Sequence, residues 1–184
     1  MTKKWLLQTS NPPRITIFYT LTTVYKPKPV GRPIISGCDG PTERITSFVD
    51  TLLQPIAQKQ KSFTNDPTGF IRFVEKTKIG NDTILVSMDV FLVVQKYTYR
   101  EEGTEIVCKA YDSFHNYNPP IPTRFLREML CLILNENSFQ FNGENYLQTH
   151  GTAMGTKMVV SFANIFMAKI ETTLIQAKRM ESIY

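Results

Sequence analysis

Histidine, tryptophan and closely spaced cysteines are scarce in this chain of 184 residues. His115 and His150 stand alone, which leaves a histidine-based metal cage without support. Cys38, Cys108 and Cys131 are odd in number, and no two are close enough for a C-x-x-C pair. That spacing argues against a disulfide framework or a zinc site and for a reducing compartment. No run approaches the roughly 18 apolar residues a membrane-spanning helix needs. The opening Met-Thr-Lys-Lys-Trp-Leu-Leu-Gln has too short an apolar stretch for a signal peptide. The expectation is an intracellular protein with no membrane partner, nucleus or cytoplasm left open. The chain also lacks an internal repeat.

What is present allows a packed core. Hydrophobic residues make up 42% and charged residues 20%, a balance that disfavours wholesale disorder. The formal net charge is +5 and the pI about 9.1. A basic balance of this size favours polyanionic partners such as nucleic acid, but many ordinary domains share it.

Local patterns predict a mixture of helices and hairpins, an α+β class. Residues 15–19 read as a strand, Lys26-Pro27-Lys28-Pro29-Val30-Gly31 as an extended loop, and residues 31–36 as a returning strand. From Pro41, Ile45, Phe48, Val49, Leu52, Leu53 and Ile56 recur at three-and-four spacing and predict a helix with one apolar stripe. A second helix is expected from Pro67 to about Lys78, with Asp66 as N-cap, Pro67 at its first position and Phe70, Phe73 and Val74 inward. Residues 83–90 read as a buried strand ending at Asp89. Residues 101–114 read as a helix, and after Pro119-Pro120 another is expected, capped by Thr123 and carrying Phe125, Leu126, Met129, Leu130, Ile133 and Leu134. Asn142-Gly143 between Phe139/Phe141 and Tyr146/Leu147 predicts a hairpin. Its aromatic residues alternate as core-facing residues do, which favours packing over base stacking. A final helix is expected over residues 158–178.

Three places could carry chemistry. Asp89, in Val86-Ser87-Met88-Asp89-Val90, is costly in an apolar strand unless it is paired or holds a metal such as Mg²⁺. Capping a turn is the commoner use of such a residue. Lys26, Lys28 and Arg32 sit on a stiff proline- and glycine-containing loop. The planar fork of an arginine suits a triphosphate, although a solvated basic loop has the same composition. In Gly151-Thr152-Ala153-Met154-Gly155-Thr156, two glycines four apart let backbone approach a ligand closely. This segment lacks the lysine and spacing of a phosphate-binding P-loop, and taken alone a flexible hairpin-to-helix link is its commoner reading.

In combination these segments resemble a known family. Phe18-Tyr19-Thr20-Leu21 through Lys26-Pro27 to Gly31-Arg32-Pro33-Ile34-Ile35-Ser36, then Val86-Ser87-Met88-Asp89-Val90, then the 151–156 segment with Ala163-Asn164-Ile165-Phe166-Met167, is similar to the reverse transcriptase of Penelope-like retroelements and their relatives. The resemblance spans nearly the whole chain. It implies an RNA-directed DNA polymerase with fingers, palm and thumb, residues 1–80 being fingers-like and residues 81–184 a partial palm. Lys26 and Arg32 then correspond to the fingers segment that grips the triphosphate. Asp89 corresponds to the first catalytic, metal-binding aspartate, and Gly151, Met154, Gly155 and Thr156 to the segment beside the nucleotide and templating base. The implied cofactor is Mg²⁺, the implied partners are an RNA or DNA template-primer and deoxynucleoside triphosphates, and the implied chemistry is two-metal phosphoryl transfer.

The chain departs from the family in two respects. It contains no Asp-Asp pair, the family's second catalytic element, and the thumb is missing too. The expectation is an amino-terminal fragment unable to polymerise alone. A non-catalytic nucleic-acid-binding remnant is the alternative. A third reading is a non-functional product whose last helix leaves Val159, Phe162, Ile165 and Phe166 uncovered. The family also continues after the aspartate with Ser-Leu-Tyr-Thr-Asn-Ile-Pro, where this chain has Phe91-Leu92-Val93-Val94-Gln95-Lys96-Tyr97-Thr98. Val94 therefore stands at the sugar-gate position, normally an aromatic that excludes a 2′-hydroxyl. Codons for Val94 to Tyr99, read one nucleotide later, permit Tyr, Lys or Arg, Asn, Ile and Pro. A local frameshift is the hypothesis this motivates. Sequencing of the transcript is expected to give codons that allow the shifted reading, and codons that forbid it remove the idea.

Overall fold

The computed structural model describes residues 14–24, 28–78, 80, 100–149, 151–152 and 154–181, with side chains through Thr173. The predicted strand at 83–90, the Asp89 turn and the departure at 91–98 lie outside the described residues. Among those described, the order is β1 (Phe18–Thr23), β2 (Val30–Ile35), α1 (Glu43–Gln58), α2 (Pro67–Lys76), α3 (Arg100–Phe114), α4 (Thr123–Asn135), β3 (Ser138–Phe141), β4 (Glu144–Leu147) and α5 (Val159–Glu181). The fold is α+β, with α1, α3, α4 and α5 packed on one another and the strands in two antiparallel ribbons, β1–β2 and β3–β4.

The core is helical. The stripe predicted from Ile45 to Ile56 forms α1 and buries Val49, Leu53 and Ile56, joined by Ala57. Thr46 is buried on the same face because its hydroxyl donates to the Glu43 carbonyl at 2.7 Å, which removes its demand for water. The helix runs through Pro55, whose missing N–H and ring clash ordinarily cost about 3 kcal/mol. Burial of Ile56 and Ala57 just beyond offsets that cost. Against α1 lie Val107, Cys108 and Tyr111 of α3, Leu126, Leu130, Ile133 and Leu134 of α4, and Met158, Phe162 and Ile165 at and after the start of α5. Burial pushes the Cys108 thiol up to about 11. All three cysteines are free, with Cys38 and Cys131 exposed. On the outside of the α3–α4 pair, Glu105 meets Arg127 and Lys109. Arg127, and then Lys109, hold its carboxyl below the usual range.

Four sequence expectations need correction. The first strand begins at Phe18 rather than residue 15: Ile17 O still accepts from Ser36 N at 3.0 Å, but Thr16 and Ile17 also pair with the other ribbon. There Gln140 N donates to Thr16 O at 2.9 Å, and Ile17 forms an isolated bridge to Gln140. Helix α2 has the predicted start: Asp66 accepts from Gly69 N at 2.8 Å and Pro67 opens the helix. However, Phe70, Phe73 and Val74 are not inward. They are 53%, 69% and 41% exposed, and no residue of α2 is buried. The amphipathic pattern defines a face, but no described element packs on it. Thr123 is not a cap. It is the first residue of α4, preceded by Pro122, and its hydroxyl donates to Asp112 of α3. Finally, of the last helix's four apolar residues expected to be uncovered, Phe162, Ile165 and Phe166 are buried and Val159 is half-buried.

These positions predict unequal costs. Phe162→Ala is expected to lose about 3–5 kcal/mol, the range for truncating a buried aromatic. Phe73→Ser should stay within about 0.5 kcal/mol, since it changes an exposed position. Urea denaturation followed by far-ultraviolet circular dichroism gives both values, and a cost at Phe73 equal to that at Phe162 contradicts the packing described.

Candidate functional site

The site is built where the two ribbons meet the start of α5. Asn142 and Gly143 both take positive φ, 50° and 83°, as a two-residue type I′ hairpin turn requires. That turn fixes the register Phe139↔Tyr146 and Phe141↔Glu144. Phe139 and Tyr146 thereby stack at 5.6 Å between ring centroids and 19° between planes. Phe18 of β1 stacks on Phe139 at 5.5 Å and 28°, and meets Phe141 edge-on at 5.1 Å. The sequence alternation marks these rings correctly as one face, but not as core: Phe141 is 51% and Tyr146 43% exposed. Phe18, Phe139 and Tyr146 form one wall of a cleft of about 340 Å³ whose lining also includes Pro33, Ile35 and Met154.

Residues 151–156 reach this cleft through a tight backbone approach. Gly37 N donates to Gly155 O at 3.4 Å. A Cβ on Gly155 would lie 2.1 Å from Ile35 O and 2.9 Å from Ile35 C, so the loop can rest on the end of β2 only because residue 155 has no side chain. Gly151 has φ 71°, the left-handed region that other residues rarely adopt. Thr152 is buried, and Met154 and Thr156 are half-buried.

Polar ties hold this arrangement. Glu43, at the start of α1, accepts from Asp39 N at 2.9 Å and pairs with Lys157 at 3.5 Å. Farther along, Ser161 Oγ donates to Asp50 Oδ1 at 2.6 Å, joining α5 to α1. Arg100 links α3 to the other end of the hairpin, bonding Asn135 Oδ1 at 3.0 Å and the Gln148 carbonyl. Burial lowers the pKa of its guanidinium. None of these pairings was visible in the sequence.

The structure therefore brings together Met154 and Gly155 with the end of β2. Arg32 is exposed on β2. Because successive strand residues point to opposite faces, its side chain leaves the ribbon on the face opposite Pro33 and Ile35. Arg32 and the loop thus meet the same strand at different positions and on different faces. Lys28 is exposed. Lys26, Asp89 and Val94 lie outside the described residues, so their relation to the cleft is not part of the geometry. Among the described residues no group of three or more His, Cys, Asp or Glu side chains could hold a metal ion, and no helix is long and apolar enough to cross a membrane.

Comparison with protein-family models, with curated proteins and with solved structures finds no match to this chain.

The close contact at residue 155 yields a sharp expectation. Gly155→Ala must displace backbone rather than a flexible side chain, and is expected to cost about 1–3 kcal/mol, as overpacking does. Gly69→Ala is the control: its added Cβ meets only the Asp66 carboxylate at an ordinary 3.5 Å. Within a helix, alanine is favoured over glycine by up to about 1 kcal/mol. Thermal melts of both variants should move in opposite directions. A neutral Gly155→Ala means that the loop does not rest on Ile35.

Proposed function

We propose that this chain supplies the fingers and part of the palm of a retroelement reverse transcriptase, and binds a template-primer and nucleotide with them. The observation that carries the reading is the contact between the two family-like segments, residues 31–36 and residues 151–156. They are far apart in sequence, yet Gly155 rests on Ile35 and Met154 shares the cleft with Pro33. A polymerase reading requires its fingers loop and its nucleotide-side glycine loop to be neighbours. The net charge of +5 and the exposed Lys28 and Arg32 suit a polyanionic partner.

In this reading Arg32, with Lys26 and Lys28, meets phosphate oxygens on the face of the ribbon away from the cleft, while the 151–156 loop lies against the nucleotide and its templating base. Mg²⁺ belongs to the reading through Asp89. The described residues make no metal cage of their own, and the chain has no Asp-Asp pair. The exposed Lys28 and Arg32 suit a second reading equally, a non-catalytic binder of nucleic acid that keeps this surface.

Binding of a short primer-template, followed by fluorescence anisotropy over a salt series, tests both readings. Affinity should fall steeply with salt, because phosphate contacts release counterions. Arg32→Ala and Lys28→Ala should each weaken binding to all sequences alike and lower the salt slope by about 1. Mg²⁺-dependent primer extension is expected to be absent. Undetectable binding at low salt, or binding indifferent to both substitutions, overturns the proposal. Extension by this chain alone overturns the expectation that it is catalytically incomplete.

A further inference from the structure

The glycine loop is not held by its own sequence. The polar contacts that tie its second half and the start of α5 to the segment that follows β2 include Gly37 N to Gly155 O at 3.4 Å, Glu43 to Lys157 at 3.5 Å, and Ser161 Oγ to Asp50 Oδ1 at 2.6 Å. They run in parallel order along both segments. The first is a long backbone hydrogen bond. The second joins two partly solvated side chains, 55% and 28% exposed, where ion pairs contribute little. The third differs in kind. Ser161 is 6% exposed, lies in the first turn of α5, and donates to a carboxylate that reaches it from the neighbouring helix. A short bond to an ionised acceptor is the strongest of the three types.

We propose that Asp50 is a positioning residue for the glycine loop: by accepting from Ser161 it fixes where α5 begins relative to α1, and hence where residues 154–158 rest on the end of β2. The carboxylate acts through Ser161 and touches no ligand. Its consequence for nucleotide or template binding rests on the proposed function, whereas its effect on the loop does not.

Hydrogen exchange by mass spectrometry on the whole chain separates the two. Asp50→Ala and Ser161→Ala should each speed exchange by about tenfold in the peptides that hold the loop's donor amides, Gly37 N bonded to Gly155 O and Val159 N bonded to Thr156 O. Peptides of α3 and α4 should keep their wild-type rates. Asp50→Asn retains an oxygen acceptor and should restore most of the protection. The double variant, Asp50→Ala with Ser161→Ala, should be no worse than either single change. If Asp50→Ala does not fold, Ser161→Ala alone decides the matter. Unchanged loop exchange, a parallel rise throughout α3 and α4, or no rescue by Asn overturns the positioning role. In the primer-template assay, Asp50→Ala should then weaken binding several-fold and Asp50→Asn should not. Should the wild-type chain bind no primer-template, the functional reading fails while the exchange result stands on its own.

Discussion

Most of the structure depends on the burial of one side of α5. Met158, Phe162 and Ile165 enter the space between α1 and α3 and exclude water from Val49, Leu53, Val107 and Tyr111. Apolar burial of this kind is the main favourable term in folding. The ribbons have no comparable resource. Each is two-stranded, and an isolated hairpin of that size is marginal in water. The helical core therefore acts as the platform, and the ribbons keep their places by attachment to it and to each other.

That dependence explains where the polar contacts occur. Thr16 and Ile17 connect the first ribbon to the second, Arg100 connects the second ribbon to α3 and α4, and Glu43 and Asp50 connect α1 to the segment entering α5. The Arg100 contacts join a weakly packed piece to a well packed one. Gly155 makes its attachment through space rather than charge, its missing side chain allowing backbone to meet backbone at Ile35. The cleft is thus a product of attachments made around it. Its own lining is only partly buried.

Signals carried within a few residues were legible in the sequence. The Asp66-Pro67 start of α2, the stripe of α1 and the Asn142-Gly143 turn all follow from local chemistry, and the structure shows each. Periodicity is less informative about partners. It marks Phe70, Phe73 and Val74 as one face of α2, and Phe139, Phe141 and Tyr146 as one face of a hairpin, but it carries no information on what, if anything, covers them. Thr123 illustrates a different ambiguity: a hydroxyl beside a helix start serves equally as cap or as donor to a neighbouring helix, and Asp112 decides. Of the candidate site, the residues on β2 and in the 151–156 loop were legible as motifs. The pairs Glu43–Lys157 and Asp50–Ser161 were not, because common residues joined across a long stretch of chain leave no local pattern. The resemblance puts Arg32 and the loop beside one nucleotide, whereas strand alternation puts the arginine on the other face of its ribbon.

The left-handed pair at Asn142 and Gly143 has a further consequence for the chemical nature of the cleft. Side chains of a strand change face at every step, so turn length determines which set looks inward. A single residue inserted between Phe141 and Glu144 would shift β4 by one position against β3. Tyr146 would then exchange places with the amide of Asn145, now paired to Gln140 on the outer face. A wall of rings would become partly a wall of amides, converting a surface suited to flat, poorly hydrated molecules into one suited to hydrogen-bonding ones. Two small residues at the tip of a hairpin thus set the solvent character of a surface to which they contribute no lining atoms.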